Sequence, residues 1–139
     1  MTRHTFRCPM RWSDMDAFGH VNNVVYLRYL EEARIDMLFT LGEQMGISAL
    51  REGAVVARLE INYRRPLTYS AKGVDVDVWV SEISTGKFVL AYEVRDGETL
   101  FAEASSVLVP FDLAAGRSRR VNDEERAFLT RYLESPSRG

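Results

Sequence analysis

The chain has 139 residues, 46% of them hydrophobic and 27% charged, with a net charge of −2. That length suits one domain, spanning residues 1–139, that buries roughly two-thirds of its unfolded surface. The near-neutral balance argues against nucleic acid or an anionic membrane as the main partner. No apolar run reaches the roughly 18 residues of a transmembrane helix, and the opening MTRHTFRCPM lacks the apolar core of a signal peptide. Cys8 is the single cysteine, which excludes an intrachain disulfide and fits a reducing compartment. A cytoplasmic protein is the expectation.

Thr5 to Trp12 alternates through Phe6, Cys8, Met10 and Trp12, the pattern of a half-buried strand, with Pro9 arguing for an edge position or a bulge. A polar loop follows. From about Asn22 the period changes, and Tyr26, Leu30, Ala33, Met37 and Leu41 predict a helix ended by Gly42. Val24, Ile35 and Phe39 form a second apolar group on its far side, so the helix is expected to be enclosed on two faces. Gly46 and Gly53 mark a loop. Ala54 to Arg64 then alternates as a strand, as does the valine series Val74, Val76, Val78 and Val80. A turn at 84–86 leads to Phe88, Leu90, Tyr92 and Val94, and Asp96-Gly97 predicts a tight hairpin into a last strand from Glu98 to Pro110. Arg117 to Arg120 reads as a solvated basic loop. Asn122 with Glu125 is a capping box for a short helix carrying Phe128, Leu129 and Leu133. A two-faced helix followed by a strand meander predicts an α+β domain whose antiparallel sheet wraps the helix.

The loop RWSDMDAFGHVNN, Arg11 to Asn23, concentrates polar groups between strand and helix. Asp-x-Asp-x-x-Gly opens a calcium loop, but Phe18 and Val25 stand where further oxygen ligands belong. A plain Asx turn is the bland reading of the same residues. His20 and His4 are the two histidines, and no metal-ligand spacing exists. Gly-x-Ser-x-Gly, glycine-rich phosphate loops and dinucleotide fingerprints are all missing. Any catalysis must then rest on a carboxylate, backbone donors and one histidine, with no metal or organic cofactor. A helix N-terminus offers unpaired N–H groups that polarise a carbonyl, and an aspartate just upstream can activate water or attack directly. This layout suits acyl transfer to water.

Arg11, Asp14, Asp16, Gly19, His20, Val21, Asn22 and Asn23, followed by Tyr26, Tyr29, Glu32 and Arg34, resemble the opening of hotdog-fold acyl-CoA thioesterases of the 4-hydroxybenzoyl-CoA thioesterase type. The resemblance continues through Ile61 to Leu67 and the valine strand, covering most of residues 4–112. It implies a hotdog fold, a homodimer or homotetramer with sites at subunit boundaries, and hydrolysis of an acyl-CoA thioester. It also implies a catalytic Asp16, a carbonyl-binding N–H at Asn23, a helper role for His20 and a loop-holding role for Asp14. Tyr26 is a substrate-binding candidate, and Arg64, Arg65 and Lys87, near strand ends or turns, are candidates for the coenzyme A phosphates. Acyl-carrier-protein thioesterases share the His-Val-Asn-Asn element but carry Asn where this chain has Phe18. They stay open as an alternative, as does a hotdog protein that binds acyl-CoA without turnover.

Overall fold

The computed structural model describes residues 3–46 and 53–134 and joins the alternating segments into one sheet. In chain order the elements are β1 (His4–Cys8), α1 (Asn23–Ile35), a π-helical stretch (Asp36–Leu41), α2 (Gly42–Gln44), β2 (Ala54–Tyr63), β3 (Val74–Ile83), β4 (Phe88–Asp96), β5 (Thr99–Asp112), the short β6 (Arg117–Ser118) and α3 (Asp123–Thr130). The sheet order is β1-β3-β4-β5-β2, with β6 on β5, and every pairing is antiparallel. This curled sheet around a long helix is the expected hotdog.

Period-two residues build the core from the sheet side. Val76 lies opposite Val94, which lies opposite Ala102; Val78, Tyr92 and Ala104 form the next row, and Val80, Leu90 and Ser106 the next. Against these rows α1 lays Tyr26, Tyr29, Leu30 and Ala33, with Met37 following, all buried. Each large side chain buried this way contributes roughly 1.5–3 kcal/mol. One polar seam crosses the interior: Arg34 Nη1 donates to Tyr92 Oη (3.2 Å), which in turn shares a hydrogen bond with Ser106 Oγ (2.6 Å).

Several expectations need correction. β1 stops at Cys8, because Pro9 cannot donate to a ladder, and Trp12 is 73% exposed in a tight 3₁₀ turn at Trp12–Asp14. The helix does not end at Gly42, which is buried and helical (φ −57°). Helix continues to Gln44, and Gly46 then takes φ 75°, a conformation glycine adopts without penalty. Only one face of the helix is enclosed within the chain: Val24, Ile35 and Phe39 are 71%, 43% and 38% exposed. The β4–β5 turn centres on Gly97 and Glu98 rather than Asp96-Gly97, with a positive φ at Gly97 alone, the type II′ requirement. The basic stretch is not simply solvated. Arg117 and Ser118 pair with β5, and Arg119 grips the buried Glu125 through two hydrogen bonds (2.7 and 2.8 Å). The capping box at Asn122 and Glu125 forms as expected, and Phe128 and Leu129 seat α3 in the core.

Candidate active site

Local hydrogen bonding explains why the polar loop keeps one shape. Met15 bridges Val21, the Asp16 N–H donates to the His20 carbonyl (2.9 Å), and the Gly19 N–H donates back to the Asp16 carbonyl (3.0 Å). Gly19 (φ 76°) takes the left-handed conformation that closes this turn. The loop is anchored outside itself as well, because the Val21 N–H donates to the Leu67 carbonyl (2.7 Å) and the Asn22 N–H to the Asp14 carbonyl (3.0 Å).

The two aspartates occupy unlike settings. Asp14 is buried, and its carboxylate accepts from Tyr29 Oη (2.6 Å), the Arg11 N–H (2.8 Å) and Arg28 Nη2 (2.8 Å). Burial opposes its ionisation, but the Tyr29, Arg11 and Arg28 donors outweigh that and hold it below the usual carboxylate range. Its oxygens are committed to holding the loop on the helix. Burial and the Asp14 bond push the Tyr29 phenol well above its ordinary value. Asp16 is half-exposed. Its Oδ1 accepts from the Phe18 N–H (2.9 Å), the Asx turn of the bland reading, while Oδ2 has no partner among the described residues. The turn and a reactive role are compatible, because the turn uses one oxygen.

Helix α1 begins at the edge of this loop. Asn22 caps it, its side chain accepting from the Val24 N–H (2.9 Å), and its carbonyl accepts from the Val25 N–H (2.9 Å). From Val21 to Val25 every backbone N–H therefore has an acceptor except that of Asn23, which has none among the described residues. Asp16, His20, Asn23, Tyr26, Arg64 and Arg65 all line one cleft of about 570 Å³. The structure thus brings together every catalytic or substrate-binding candidate of the sequence but Lys87. Lys87 stands at the start of β4, beside Phe88, whose partners are Leu108 and Ile83. Arg64 and Arg65 follow Tyr63, paired with Ala102, at the other end of the sheet.

Phe18, Tyr63 and Pro66 also line the cleft and were not singled out in the sequence as site residues. Tyr63 stands directly before Arg64, and that adjacency was the available signal. The buried Tyr26 forms part of the cleft wall, with Tyr63 edge-on to it at 5.1 Å, and burial pushes its phenol up to about 12. His20 is exposed, and its ring has no hydrogen bond among the described residues. Arg64 is tied to Glu103, whereas Arg65 forms no ion pair among the described residues. Cys8 lies outside the cleft, fully buried, with its thiol pushed up to about 12 by burial and by Glu32. Among the described residues no group of three or more His, Cys, Asp or Glu side chains could hold a metal ion. No described helix is long and apolar enough to cross a membrane.

Comparison with known proteins matches this architecture. Residues 10–129 fit the model of the Thioesterase-like superfamily. The long-chain acyl-CoA thioesterase FadM of Escherichia coli (strain K12) is 41% identical over 61 residues, 44% of this chain and 46% of that protein, so the match spans about half of FadM. Among solved structures, the PA2801 protein of Pseudomonas aeruginosa superposes with a TM-score of 0.76 at 36% identity, covering 89% of this chain and 95% of that one. A thioesterase from Thermus thermophilus, complexed with coenzyme A and Zn, has a TM-score of 0.76 at 28% identity over 92% of each chain. The family match runs from the end of β1 through the polar loop, the long helix and the whole remaining sheet into α3, and the chain belongs to the thioesterase-like superfamily.

Proposed function

We propose that this protein hydrolyses acyl-CoA thioesters, with Asp16 as general base or nucleophile and the Asn23 N–H as the donor to the thioester carbonyl. One observation carries the reading: the Asn23 N–H, with no acceptor among the described residues, lines the same cleft as a carboxylate whose Oδ2 has no partner among them. A carbonyl oxygen seated on that N–H gains from the positive end of the helix dipole, and more so as it becomes an oxyanion. Asp16 then either draws a proton from water as it attacks the carbonyl carbon, or attacks that carbon itself. In both routes the C–S bond breaks and the thiolate leaves, taking up a proton; in the second, water then cleaves the mixed anhydride formed on Asp16, releasing the acid and restoring the carboxylate. The resemblance of the loop to characterised thioesterases, and the activity carried in the name of FadM, point the same way.

The carrier end fits Arg65, which forms no ion pair among the described residues. Arg65 is available to coenzyme A phosphates, with Arg64 available where Glu103 releases it. Tyr26 and Tyr63 supply the apolar wall for the thioester, and His20, which also lines the cleft, takes the assisting role. The assembly is a homodimer or homotetramer. β2 is an edge strand exposed along most of both faces, and the same chain leaves Val24, Leu27, Ile35 and Phe39 uncovered on the helix. Such an edge with neighbouring apolar surface calls for a partner copy. The buried, reduced Cys8 suits a cytosolic setting.

Free-thiol release from a panel of short, long and aromatic acyl-CoA thioesters, with an acyl carrier protein thioester alongside, tests the function. Turnover of at least one acyl-CoA is expected. Tight binding of acyl-CoA without thiol release would overturn the hydrolase reading in favour of a carrier or sensor.

A further inference from the structure

The segment that leaves β2 holds the start of α1 at two points. The Leu67 carbonyl accepts from the Val21 N–H (2.7 Å), and Tyr63 Oη donates to the Asn23 carbonyl (2.9 Å) across 40 residues of sequence. The second contact falls beside the Asn23 N–H, which has no acceptor among the described residues. We propose that Tyr63 is a positioning residue for thioester hydrolysis, fixing the aim of the Asn23 N–H; the proposal rests on the hydrolase reading above.

The case is one of linked peptide units. The unit joining Asn22 to Asn23 carries the free N–H, and its carbonyl is held by Val25. The unit joining Asn23 to Val24 is pinned at both ends, its N–H by Asn22 Oδ1 (2.9 Å) and its carbonyl by Tyr63 Oη. The two units share the Asn23 α-carbon, so a tilt of the second redirects the first. First-turn peptides otherwise have few anchors, because helix ends fray. Tyr63 is itself held. Its ring meets the buried Tyr26 edge-on (5.1 Å, 79°), and the next two N–H groups, of Arg64 and Arg65, both donate to the Phe101 carbonyl (2.8 and 3.1 Å). The hydroxyl therefore reaches Asn23 from a fixed base, and its removal leaves the ring packing intact.

Tyr63→Phe isolates the hydroxyl. Loss of one neutral hydrogen bond that keeps a transition-state donor aligned should lower kcat by up to about tenfold. KM for the best acyl-CoA should stay within about twofold, and the melting temperature should change little. Amide hydrogen exchange at Val24 should quicken in the variant, reporting the loosened turn independently of turnover. A role confined to stability would lower the melting temperature and leave kcat of the folded enzyme intact, which would overturn the proposal. A rise in KM at constant kcat would also overturn it, by making the hydroxyl, and not the ring alone, a substrate contact. Wild-type protein inert toward every acyl-CoA would sink the hydrolase reading and this proposal together. An active wild type whose Tyr63→Phe variant keeps full kcat would sink the proposal alone.

Discussion

Asp16→Asn tests the mechanism most directly, because the structure says what the substitution keeps. The Phe18 N–H donates to Asp16 Oδ1, and an asparagine carbonyl oxygen accepts that bond equally well. The turn should survive, with a stability change within about 0.5 kcal/mol, as for other surface replacements. What disappears is the charge and basicity of Oδ2, the oxygen with no partner among the described residues. Turnover should fall by about 10²–10⁴-fold, the scale for losing a catalytic base, or roughly 2.7–5.4 kcal/mol of barrier. Asp14→Asn supplies the contrast. Oδ2 of Asp14 accepts from both Tyr29 and the Arg11 N–H, and Oδ1 accepts from Arg28. An amide has one accepting oxygen, so its NH₂ must face either Arg28 or the Tyr29–Arg11 pair. Breaking that buried arrangement should cost about 2–4 kcal/mol. At roughly 3 °C per kcal/mol, melting should drop by about 6–12 °C. The kinetic loss at Asp14 should be the smaller of the two. Thiol-release kinetics at 25 °C and circular-dichroism melts on both variants decide the matter. Near-wild-type turnover in Asp16→Asn would refute the assignment, and so would a larger kinetic loss at Asp14 than at Asp16.

Arg65→Ala should raise KM for acyl-CoA by about five- to tenfold at unchanged kcat, and the effect should shrink as salt is raised, since the cation is exposed; an equal effect on a thioester lacking phosphates would count against the phosphate role. Light scattering should find at least a dimer, and the Ile35→Glu, Phe39→Glu double variant should dissociate it; a fully active wild-type monomer at assay concentration would rule the assembly out. Acid stability follows from Asp14 and Asp77, both held below the ordinary range: for each, burial opposes ionisation and is outweighed, at Asp77 by Arg95 and Thr5 and at Asp14 by Tyr29, Arg11 and Arg28. Because the folded values are depressed, this stability is complete above the unfolded value of about 3.9 and is lost as pH falls through the folded ones. Melting temperature should therefore hold above about pH 5 and fall below about pH 4, and Asp77→Asn should flatten that acid limb.

The parts of this molecule that were legible in its sequence are those governed by short-range rules. Period-two valines gave β3, period-3.6 apolar residues gave α1, and Asn122 with Glu125 gave the α3 cap; each is decided within about a dozen residues. The candidate site was legible for the same reason. Asp14, Asp16, His20, Asn22 and Asn23 lie within one loop whose backbone-to-backbone hydrogen bonds are mostly internal. Trp12 and Gly42 misled because the alternation and the glycine were each read without their neighbours. Pro9 ends the ladder before Trp12, and Gly42 sits inside a helix that the π-helical stretch carries onward.

What escaped the sequence depends on long-range placement, and Lys87 shows how. Being near a turn does not say which end of the sheet the turn occupies. β2 and β4 both run antiparallel to β5 and therefore run the same way, so the start of β4 falls at the end where β2 begins. Arg64 and Arg65 follow the end of β2, so Lys87 and the arginines were bound to be separated by the length of the sheet. A count of reversals along the expected meander would have carried that conclusion, since two reversals of the chain separate β2 from β4. The Arg119–Glu125 pair and the Tyr63–Asn23 bond had no such signal. Arg119 belongs to a run of basic residues with identical local character, and only the β5–β6 pairing turns it toward α3. Tyr63 sits in a strand where an aromatic is ordinary, and its hydroxyl acquires meaning only when the curled sheet delivers it to the start of α1. The proposed carboxylate and N–H thus lie within one local loop, whereas the hydroxyl that holds the Asn23 carbonyl comes from a strand 40 residues away.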